Sequence, residues 1–533
     1  MAQAGAIPVY RQLEAVPPPP AGAAPQQAEV VIVGAGPVGL TLALDLARKG
    51  RSVIVLSRLD FIAAGSKAIC FAKRTLDIFD RLGVAERMIA KGVVWNVGKV
   101  FNGADPEPLY QFDMLPVKGQ KNPGFINLQQ YYVEEYLIEA LADHPRVELR
   151  WGHEVVGLAA AGDRVDLTVR TAAGDYALES RWVVACDGSK SPIRQLLGLD
   201  FEGRIFEDNF LIADVKFAAE RPSERWFWFD PPFNGAGSAL LHKQPDDIWR
   251  LDFQLGWDID REAAIRPENV EPYVRAMLGE DVAFSEEWYS VYTFQCRRMQ
   301  RFVHDRVIFA GDSAHLVSPF GARGCNGGVA DADNLAWKLD LVLAGKADAD
   351  LIESYNEEAI VAADENILNS TRSTDFMTPR SAASRALRDA VLELAGQHAF
   401  ARPLVNSGRL STPVSYPQSR LNTPDRDAWT GGVAPGSPAL DAWLGDGWLL
   451  ERTGDQFVLL SHGAGLRLPG LRTIELTDHP DPAAVLERYD LTPGSACLLR
   501  PDQYVAARWR APAAGDVEAA LATAMGGAVH AHA

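Results

Sequence analysis

Two glycine-rich stretches carry residue types that could bind a phosphate or another anionic group. The first follows a short apolar run at residues 29–33 and precedes a helical pattern that ends at Gly50. A second apolar run at residues 52–56 completes a predicted βαβ unit. Glycines at this spacing let the backbone approach a pyrophosphate, and the helix start favours its negative charge. The stretch therefore predicts dinucleotide binding by Gly34, Gly36, Pro37, Val38 and Gly39.

The second stretch, residues 306–339, begins with an apolar strand, turns at Gly311 and Asp312, and enters a glycine-rich loop. A helix is predicted from about Gly328 to Ala344. In open α/β sheets, ligands bind outside the carboxyl ends of the strands, and a helix amino terminus offers N–H groups to a negative charge. We therefore expect an anionic group close to the loop residues Gly324, Cys325 and Asn326.

Three sequence words occur in order: GDSAH (311–315), SPFGARGCN (318–326) and DADNLAWKL (331–339). Together they resemble the second flavin motif of the FAD-dependent aromatic hydroxylases of the para-hydroxybenzoate hydroxylase type. The resemblance implies non-covalent FAD, with Asp312 holding its ribityl chain and the helix amino terminus facing the pyrimidine side of the flavin. It also implies that NADH or NADPH reduces the flavin, that dioxygen forms a C4a-hydroperoxide, and that a phenolic ring is hydroxylated.

Further cofactor positions follow from motif register. The acidic residue that usually binds the adenosine ribose after the second strand is replaced by Ser57, followed by Arg58. Ser57 is neutral and should bind a ribose hydroxyl less strongly than a carboxylate would. By the resemblance, Lys67 stands where the family carries an arginine beside the flavin, and Gln130 matches a glutamine that touches the flavin side chain. The alternatives are a solvated loop lysine and an ordinary residue of a first helical turn.

The motif Cys186-Asp-Gly resembles a strand-end turn that the family uses for both flavin and nicotinamide. It makes Asp187 and Arg194 candidates for cofactor binding, with a helix N-cap as the alternative role of Asp187. No second dinucleotide motif is present, so NAD(P)H is expected in a surface groove.

Catalytic candidates are few. By register, Pro319 matches a proline whose carbonyl lies near the substrate hydroxyl, and Arg323 matches a basic residue of the same loop. His242, at the end of a predicted strand, is the first candidate for proton transfer, and a structural histidine is the alternative. His315 is expected to be structural, beside the flavin.

The fold class expected is α/β, with a Rossmann-like FAD-binding domain at residues 29–200 and 292–400. Residues 201–291 predict an inserted, mostly antiparallel sheet for the substrate, and residues 401–533 resemble a thioredoxin-like domain with a packing or dimer-forming role. Residues 1–28 are interpreted as a tail or as an extended packing arm outside the fold. In the inserted sheet, the run Trp226-Phe-Trp-Phe229 places tryptophans on one face and phenylalanines on the other, as an aromatic pocket wall or as core.

Composition limits the possible partners. Lys plus Arg total 52 against 70 Asp plus Glu, a net charge of -18, which argues against nucleic acid and anionic membranes. The sequence has no apolar run of the ~18 residues that a membrane span needs. The five cysteines form no CxxC pair and no zinc-like cluster, so we expect no metal and a reduced, cytoplasmic setting. A small aromatic substrate is the expected partner.

Two alternatives to hydroxylation stay open. The word Trp226-Phe-Trp-Phe-Asp-Pro231 comes within one residue of the WxWxIP word of flavin-dependent halogenases, which use a distant lysine. Lys99 is only loosely placed to supply that lysine, and the SPFGARGCN loop favours hydroxylation. The other alternative is a non-catalytic protein that binds flavin and an aromatic ligand.

Overall fold

The computed structural model describes residues 8–20, 22–65, 68–113, 117–218, 222–235, 237–318, 321–405 and 412–527, and only the backbone of residues 206 and 207. The strands are β1 (Val9–Gln12), β2 (Gln26–Val33), β3 (Val53–Ser57), β4 (Phe61–Ala63), β5 (Cys70–Ala72), β6 (Val93–Val94), β7 (Val97–Asn102), β8 (Tyr110–Asp113), β9 (Phe125–Asn127), β10 (Val147–Trp151), β11 (Glu154–Ala161), β12 (Arg164–Thr171), β13 (Gly174–Ala185), β14 (Glu202–Lys216), β15 (Arg225–Phe229), β16 (Ala239–Lys243), β17 (Ile248–Gly256), β18 (Ser285–Arg298), β19 (Val303–His304), β20 (Val307–Phe309), β21 (His315–Leu316), β22 (Val458–Ser461), β23 (Arg472–Glu475), β24 (Ala496–Leu499) and β25 (Val505–Trp509). The α-helices are α1 (Pro37–Arg48), α2 (Lys73–Arg81), α3 (Ala85–Lys91), α4 (Gln130–Leu141), α5 (Pro192–Leu196), α6 (Arg261–Ala264), α7 (Pro267–Leu278), α8 (Gly324–Leu343), α9 (Leu351–Met377), α10 (Ala382–Gln397), α11 (Arg402–Val405), α12 (Leu449–Thr453), α13 (Ala483–Tyr489) and α14 (Ala514–Ala524). The chain is thus of mixed α/β class, as expected.

The first sheet contains the parallel strands around the first glycine motif. Its order is β10-β3-β2-β13-β12-β11, with β20 beside β13 and β19 beside β20. The register pairs Val33 with Ala185 and Ala185 with Phe309. Because these strands are parallel, the turns that follow all three lie at one edge of the sheet. The two glycine-rich stretches, far apart in sequence, are therefore neighbours in space.

The second sheet has the order β21-β18-β14-β17-β16-β15-β7-β8, and neighbouring strands are antiparallel except for β15 with β7. Strands β7, β8 and β21 come from outside residues 201–291, and β18 runs on to Arg298. The sheet is therefore larger than the sequence segment expected to form it. Some of its paired strands are distant in sequence. The alternation pattern of a single segment does not show which distant strands pair with it.

Alternate residues of this sheet point to two faces. The outer face packs on α7 and includes Leu211, Trp226, Trp228, Leu241, Leu251 and Phe253. The inner face includes Phe210, Phe227, Phe229, Leu240 and Phe294, and part of it packs on α9 and α10. The aromatic run of β15 thus contributes to a core on both sides. Trp228 stacks on Phe101, with ring centroids 5.2 Å apart.

The C-terminal part has a sheet of order β23-β22-β24-β25, in which β22 and β23 are parallel and the other pairs are antiparallel. Arg500, which follows β24, is fully buried and forms an ion pair with Glu358 of α9 at 2.6 Å. This part is therefore fastened to the helix that packs on α8.

The N-terminal arm does not lie outside the fold. Strand β1 pairs with β4, and the Tyr10 ring stacks on Tyr131 of α4 with centroids 4.3 Å apart. The Tyr10 hydroxyl donates to Glu135 Oε2 at 2.8 Å. Of the two interpretations of this segment, the free tail is wrong for residues 8–20, which form a packed arm. Throughout the described ranges, no helix has the length and apolarity needed to cross a membrane.

Candidate active site

The three glycines of the first motif have three different surroundings. Gly34 has φ +112°, and a Cβ atom there would lie 2.2 Å from the Cys186 carbonyl oxygen. A Cβ on Gly39 would lie 2.0 Å from the Gly34 oxygen, so this glycine allows α1 to approach its strand. At Gly36 a Cβ would meet nothing within 4 Å. The open side of the motif therefore lies at the start of α1, where a helix accepts a phosphate.

The second motif packs directly on the first. Val38 of α1 lies between two glycines, because its Cγ2 atom is 2.9 Å from a Cβ placed on Gly311 and 2.5 Å from one placed on Gly328. The Gly311 amide donates to Asp331 Oδ2 at 2.9 Å, which fixes the turn after β20 on α8. Helix α8 starts at Gly324 and not at Gly328 as predicted. Gly328 does not break the helix, because it serves close packing against Val38.

Gly324, Cys325 and Asn326 form the first turn of α8, where backbone N–H groups lack intrahelical acceptors. Asp312 is exposed beside this turn. Burial, with the nearby Asp312 carboxylate, raises the pKa of the Cys325 thiol to about 12, so this thiol stays protonated. An exposed carboxylate and a helix amino terminus thus lie side by side.

The Asn326 side chain is occupied by the protein. Its Oδ1 accepts from the Ala72 amide at 2.9 Å and from the Thr75 hydroxyl at 2.6 Å, and its Nδ2 donates to the Cys70 and Ala322 carbonyls. The side chain therefore fastens residues 70–75 to α8, and only the Asn326 backbone is left to face a ligand.

The Asp-Gly motif is joined to the second glycine stretch. Arg194 Nη1 donates to the Ser313 carbonyl at 2.9 Å, and the Ser313 hydroxyl donates to the Ala185 carbonyl at 2.6 Å. Asp187 Oδ2 accepts from the Ile193 amide at 3.0 Å, while the N-cap of α5 is Ser191. Asp187 Oδ1 is buried and has no hydrogen-bond partner within the described ranges. Burial raises the pKa of Asp187, against the hydrogen bonds that lower it.

Three of the remaining cofactor candidates, Ser57, Arg58 and Gln130, lie within the described residues. The Ser57 hydroxyl donates to the Leu59 carbonyl at 2.9 Å and accepts from the Leu59 amide at 3.2 Å, so it closes a turn. Gln130 Oε1 accepts from the Ala68 amide at 3.2 Å, which holds the segment after Lys67 on α4. Lys67 itself lies outside the described residues. Arg58 lines an open groove of about 420 Å³ with Leu59, Gly152, Glu154, Arg170, Thr171 and Ala172.

The catalytic candidates fall in different places. Arg323 is 8% exposed and donates from Nη1 to Asn366 Oδ1 of α9 at 3.0 Å, which indicates an anchor for the loop before α8. His242 is buried on the inner face of the second sheet. Pro319 lies outside the described residues.

His315 lies where a structural residue was expected, with Nε2 2.6 Å from Asp331 Oδ2. Burial opposes protonation of this imidazole, but Asp331 raises the pKa of His315 above its ordinary value. Asp331 was not singled out from the sequence, because its role depends on the Gly311 amide and on His315, which the turn after β20 supplies.

The donors and acceptors of this edge fit FAD. The open glycine and the start of α1 suit a pyrophosphate, and the carboxylates Asp187 and Asp312 suit hydroxyl groups. The fold and site thus define a dinucleotide-binding α/β protein that carries a second, mostly antiparallel sheet.

Comparison with known proteins gives the family. A family model described as FAD binding domain matches residues 27–370. The 6-methylpretetramide 4-monooxygenase of Streptomyces rimosus is 32% identical over 536 residues, covering 92% of this chain and 92% of the relative. The probable NADH-specific resorcinol 4-hydroxylase of Rhodococcus jostii (strain RHA1) is 31% identical over 459 residues, covering 82% of this chain and 81% of the relative.

A solved structure of the flavin-dependent monooxygenase PieE, in complex with FAD and substrate, has a TM-score of 0.79 at 23% identity, covering 95% of this chain and 100% of that chain. This likeness supports the fold. The chain belongs to the FAD-dependent aromatic hydroxylase family and is a flavoprotein aromatic monooxygenase.

Proposed function

We propose that the protein uses NADH or NADPH and dioxygen to hydroxylate the ring of a phenolic substrate. One observation carries this proposal: the second sheet and the loop before α8 meet in a single apolar cluster. Phe112 of β8 and Ala322 of the loop, both only partly buried, pack on Ile69, Cys70 and Trp95. An aromatic ring held against these side chains would lie beside the amino terminus of α8.

The groups at the edge described above would suit each part of the cofactor. Gly36 and the start of α1 would hold the pyrophosphate, and Asp312 and Asp187 would hold hydroxyl groups of the FAD side chain. The backbone of Gly324 to Asn326 would face the pyrimidine side of the flavin. When bound, FAD supplies electron transfer from NAD(P)H and activation of dioxygen.

The chain contributes charge stabilisation and exclusion of water. The amino terminus of α8 stabilises negative charge next to it. The apolar cluster of Ile69, Trp95 and Phe112 would exclude water from a ring bound against it.

We assign the adenosine end to the groove beside Arg58. It opens where β3 and β10 end, next to Ser57. Because the Ser57 hydroxyl is used in its own turn, we expect the ribose to be held less tightly than by the acid usual at this position.

The C-terminal part is proposed to be a thioredoxin-like domain without redox activity. Its strand order and its single parallel pair support this assignment. Its one cysteine, Cys497, is buried, and burial raises the pKa of this thiol to about 12. Its proposed role is packing on α9 through Arg500.

Halogenation gains no support from the position of Lys99. Its Nζ atom forms an ion pair with Glu224 Oε2 at 2.8 Å, and the same carboxylate accepts from the Trp226 indole at 2.8 Å. Trp226 belongs to the outer face, away from the cofactor edge.

The test is product analysis with labelled dioxygen. Purified protein with FAD is given NADH or NADPH and a panel that includes resorcinol, hydroxybenzoates, hydroxyphenylpropionates and 6-methylpretetramide. We expect at least one phenol to accelerate NAD(P)H oxidation and to gain one oxygen-18 atom from labelled dioxygen. A halogenated product in the presence of chloride, or hydrogen peroxide alone across the whole panel, would contradict the proposal.

A further inference from the structure

The inner face of the second sheet carries a polar cluster among its apolar residues. The cluster comprises Asp214 of β14, Arg225 of β15, His242 of β16, and Arg250 and Asp252 of β17. The strand register places His242 directly opposite Arg250 and Leu240 opposite Asp252. These side chains are therefore close neighbours on one face.

Half of this cluster is fully paired. Arg250 binds both carboxylate oxygens of Asp214, at 2.8 and 2.7 Å, and Gln244 Nε2 donates to the same group at 3.1 Å. A buried ion pair with this geometry needs no ligand. The Arg250–Asp214 pair therefore holds both side chains in fixed positions.

The other half has unused hydrogen-bonding atoms. His242 is 2% exposed, and within the described part of the chain neither ring nitrogen has a hydrogen-bond partner. Its Nε2 atom faces the Asp252 carboxylate, with 3.4 Å between Nε2 and Oδ2. Arg225 Nη1 is also buried and lacks a partner among the residues described. A buried polar group without a partner is destabilising, so two such groups on neighbouring strands indicate a place for a polar ligand atom.

Three hydrogen bonds connect this cluster with the start of α8. The Lys243 carbonyl, next to His242, accepts from Asn127 Nδ2 at 2.7 Å. Cys70 Sγ donates to Asn127 Oδ1 at 3.2 Å, and the Cys70 carbonyl accepts from Asn326 Nδ2 at 2.9 Å. The cluster therefore lies on the side of the sheet that faces the cofactor edge, behind the Cys70 segment.

We propose that His242, between Asp252 and Arg225, binds the hydroxyl group of the phenolic substrate and takes up its proton. This inference rests on the proposed function. With the Nε2 proton directed at Asp252, Nδ1 is the acceptor. The substrate O–H bond breaks, an N–H bond forms at Nδ1, and the electron pair stays on the oxygen. The resulting imidazolium lies beside the Asp252 carboxylate, and the phenolate lies in the field of Arg225.

The charges around the imidazole agree with this role. The charged groups that act on it are Arg225, Asp252 and Arg250. The same three groups act on the Cys70 thiol, whose pKa is raised by burial. Burial, and then the charge of Arg225, lower the pKa of His242 to about 4. The imidazole is therefore neutral at pH 7, and a phenolate formed beside it would raise its affinity for the proton.

The test uses 4-nitrophenol, whose phenolate has its own visible absorption band. The pH of a solution of FAD-loaded protein and excess 4-nitrophenol is varied. The ionised fraction of the bound probe is measured from the phenolate absorption band. We expect the wild-type protein to bind the phenolate at lower pH than in free solution. His242→Gln should weaken this preference by on the order of tenfold, and Asp252→Asn should weaken it in the same direction. His398→Gln, the same change at an exposed position, should leave it unchanged.

Two outcomes overturn the proposal. One is a wild-type protein that does not bind the probe or does not alter its ionisation. The other is a His242→Gln variant that retains FAD and ionises the probe as the wild type does. Asp252→Asn keeps the imidazole and gives a second answer if His242→Gln does not fold. Failure of the proposed function is a separate result, because it would appear as absence of labelled product with the wild-type protein.

Discussion

The two faces of the second sheet are built from alternate residues of the same strands, yet they are closed in different ways. On the outer face, Leu251 and Phe253 are fully buried against Val270 and Val274 of α7. On the inner face, the same strand β17 presents Arg250 and Asp252. The outer face is completed by a helix, whereas the inner face keeps buried polar atoms that no described residue pairs.

This difference shows that the depth of burial alone does not distinguish a residue of the hydrophobic core from a residue of the candidate active site. His242 and Phe253 are both nearly inaccessible, at 2% and 0% exposure. They differ in hydrogen bonding: Phe253 is stabilised by packing alone, whereas the buried imidazole also needs a hydrogen-bond partner. We therefore expect changes on the outer face to affect mainly stability and changes on the inner face to affect mainly substrate handling.

The largest expected effect is that of Phe253→Ala on stability. The ring is buried against Tyr273, with centroids 5.2 Å apart, and truncation would leave a cavity between the sheet and α7. The free energy of unfolding should fall by about 3–5 kcal/mol. Urea unfolding followed by tryptophan fluorescence measures this loss.

The matched control is Phe227→Ala on the inner face, where the ring is only partly buried. It should cost less stability and should raise the KM for the phenolic substrate more than Phe253→Ala does. Equal losses of stability in the two variants would remove the distinction between the faces.

A smaller effect is expected from pH. Burial, and then Arg225, lower the pKa of His242 from 6.5 to about 4, so between these values the unfolded chain binds a proton that the folded chain does not. The contribution of the neutral imidazole to stability is present above pH 6.5 and is lost as the pH falls toward 4. The free energy of unfolding should drop by up to ~1.4 kcal/mol per pH unit in this range. His242→Gln should remove that part of the slope, measured by urea unfolding at pH 6.5 and 5, and parallel slopes in the two proteins would contradict the assignment.

Much of the fold could be predicted because its signals are local. The βαβ unit around the first glycine motif agrees with its prediction: α1 ends just before Gly50, and β3 spans Val53–Ser57. The predicted start of α8 was wrong. Glycines usually mark turns, but Gly328 lies within the helix and makes room for Val38. That role depends on a helix almost 300 positions earlier in the chain.

The candidate site shows the same limit. The turn at Gly34 to Gly39 could be located because its spacing carries the chemistry. Arg225 and Asp331 could not be singled out, because their significance depends on partners supplied by other strands and helices. Asn326 lies in the expected turn, but only the structure shows that the protein itself uses its side chain.

The smallest effect is expected from Lys99→Met, at the edge of the outer face. The Lys99 and Glu224 side chains are 24% and 17% exposed, so their ion pair should contribute less than about 1 kcal/mol to stability. If the outer face has no part in chemistry, the variant should hydroxylate its phenol at the wild-type rate and give no halogenated product with or without chloride. The measurements are phenol-stimulated NAD(P)H oxidation and mass analysis of the product, with His242→Gln as the inner-face counterpart that should be impaired. Loss of product in Lys99→Met with FAD retained would mean that the lysine reaches the reacting groups, and the division of the sheet into a structural and a functional face would fail.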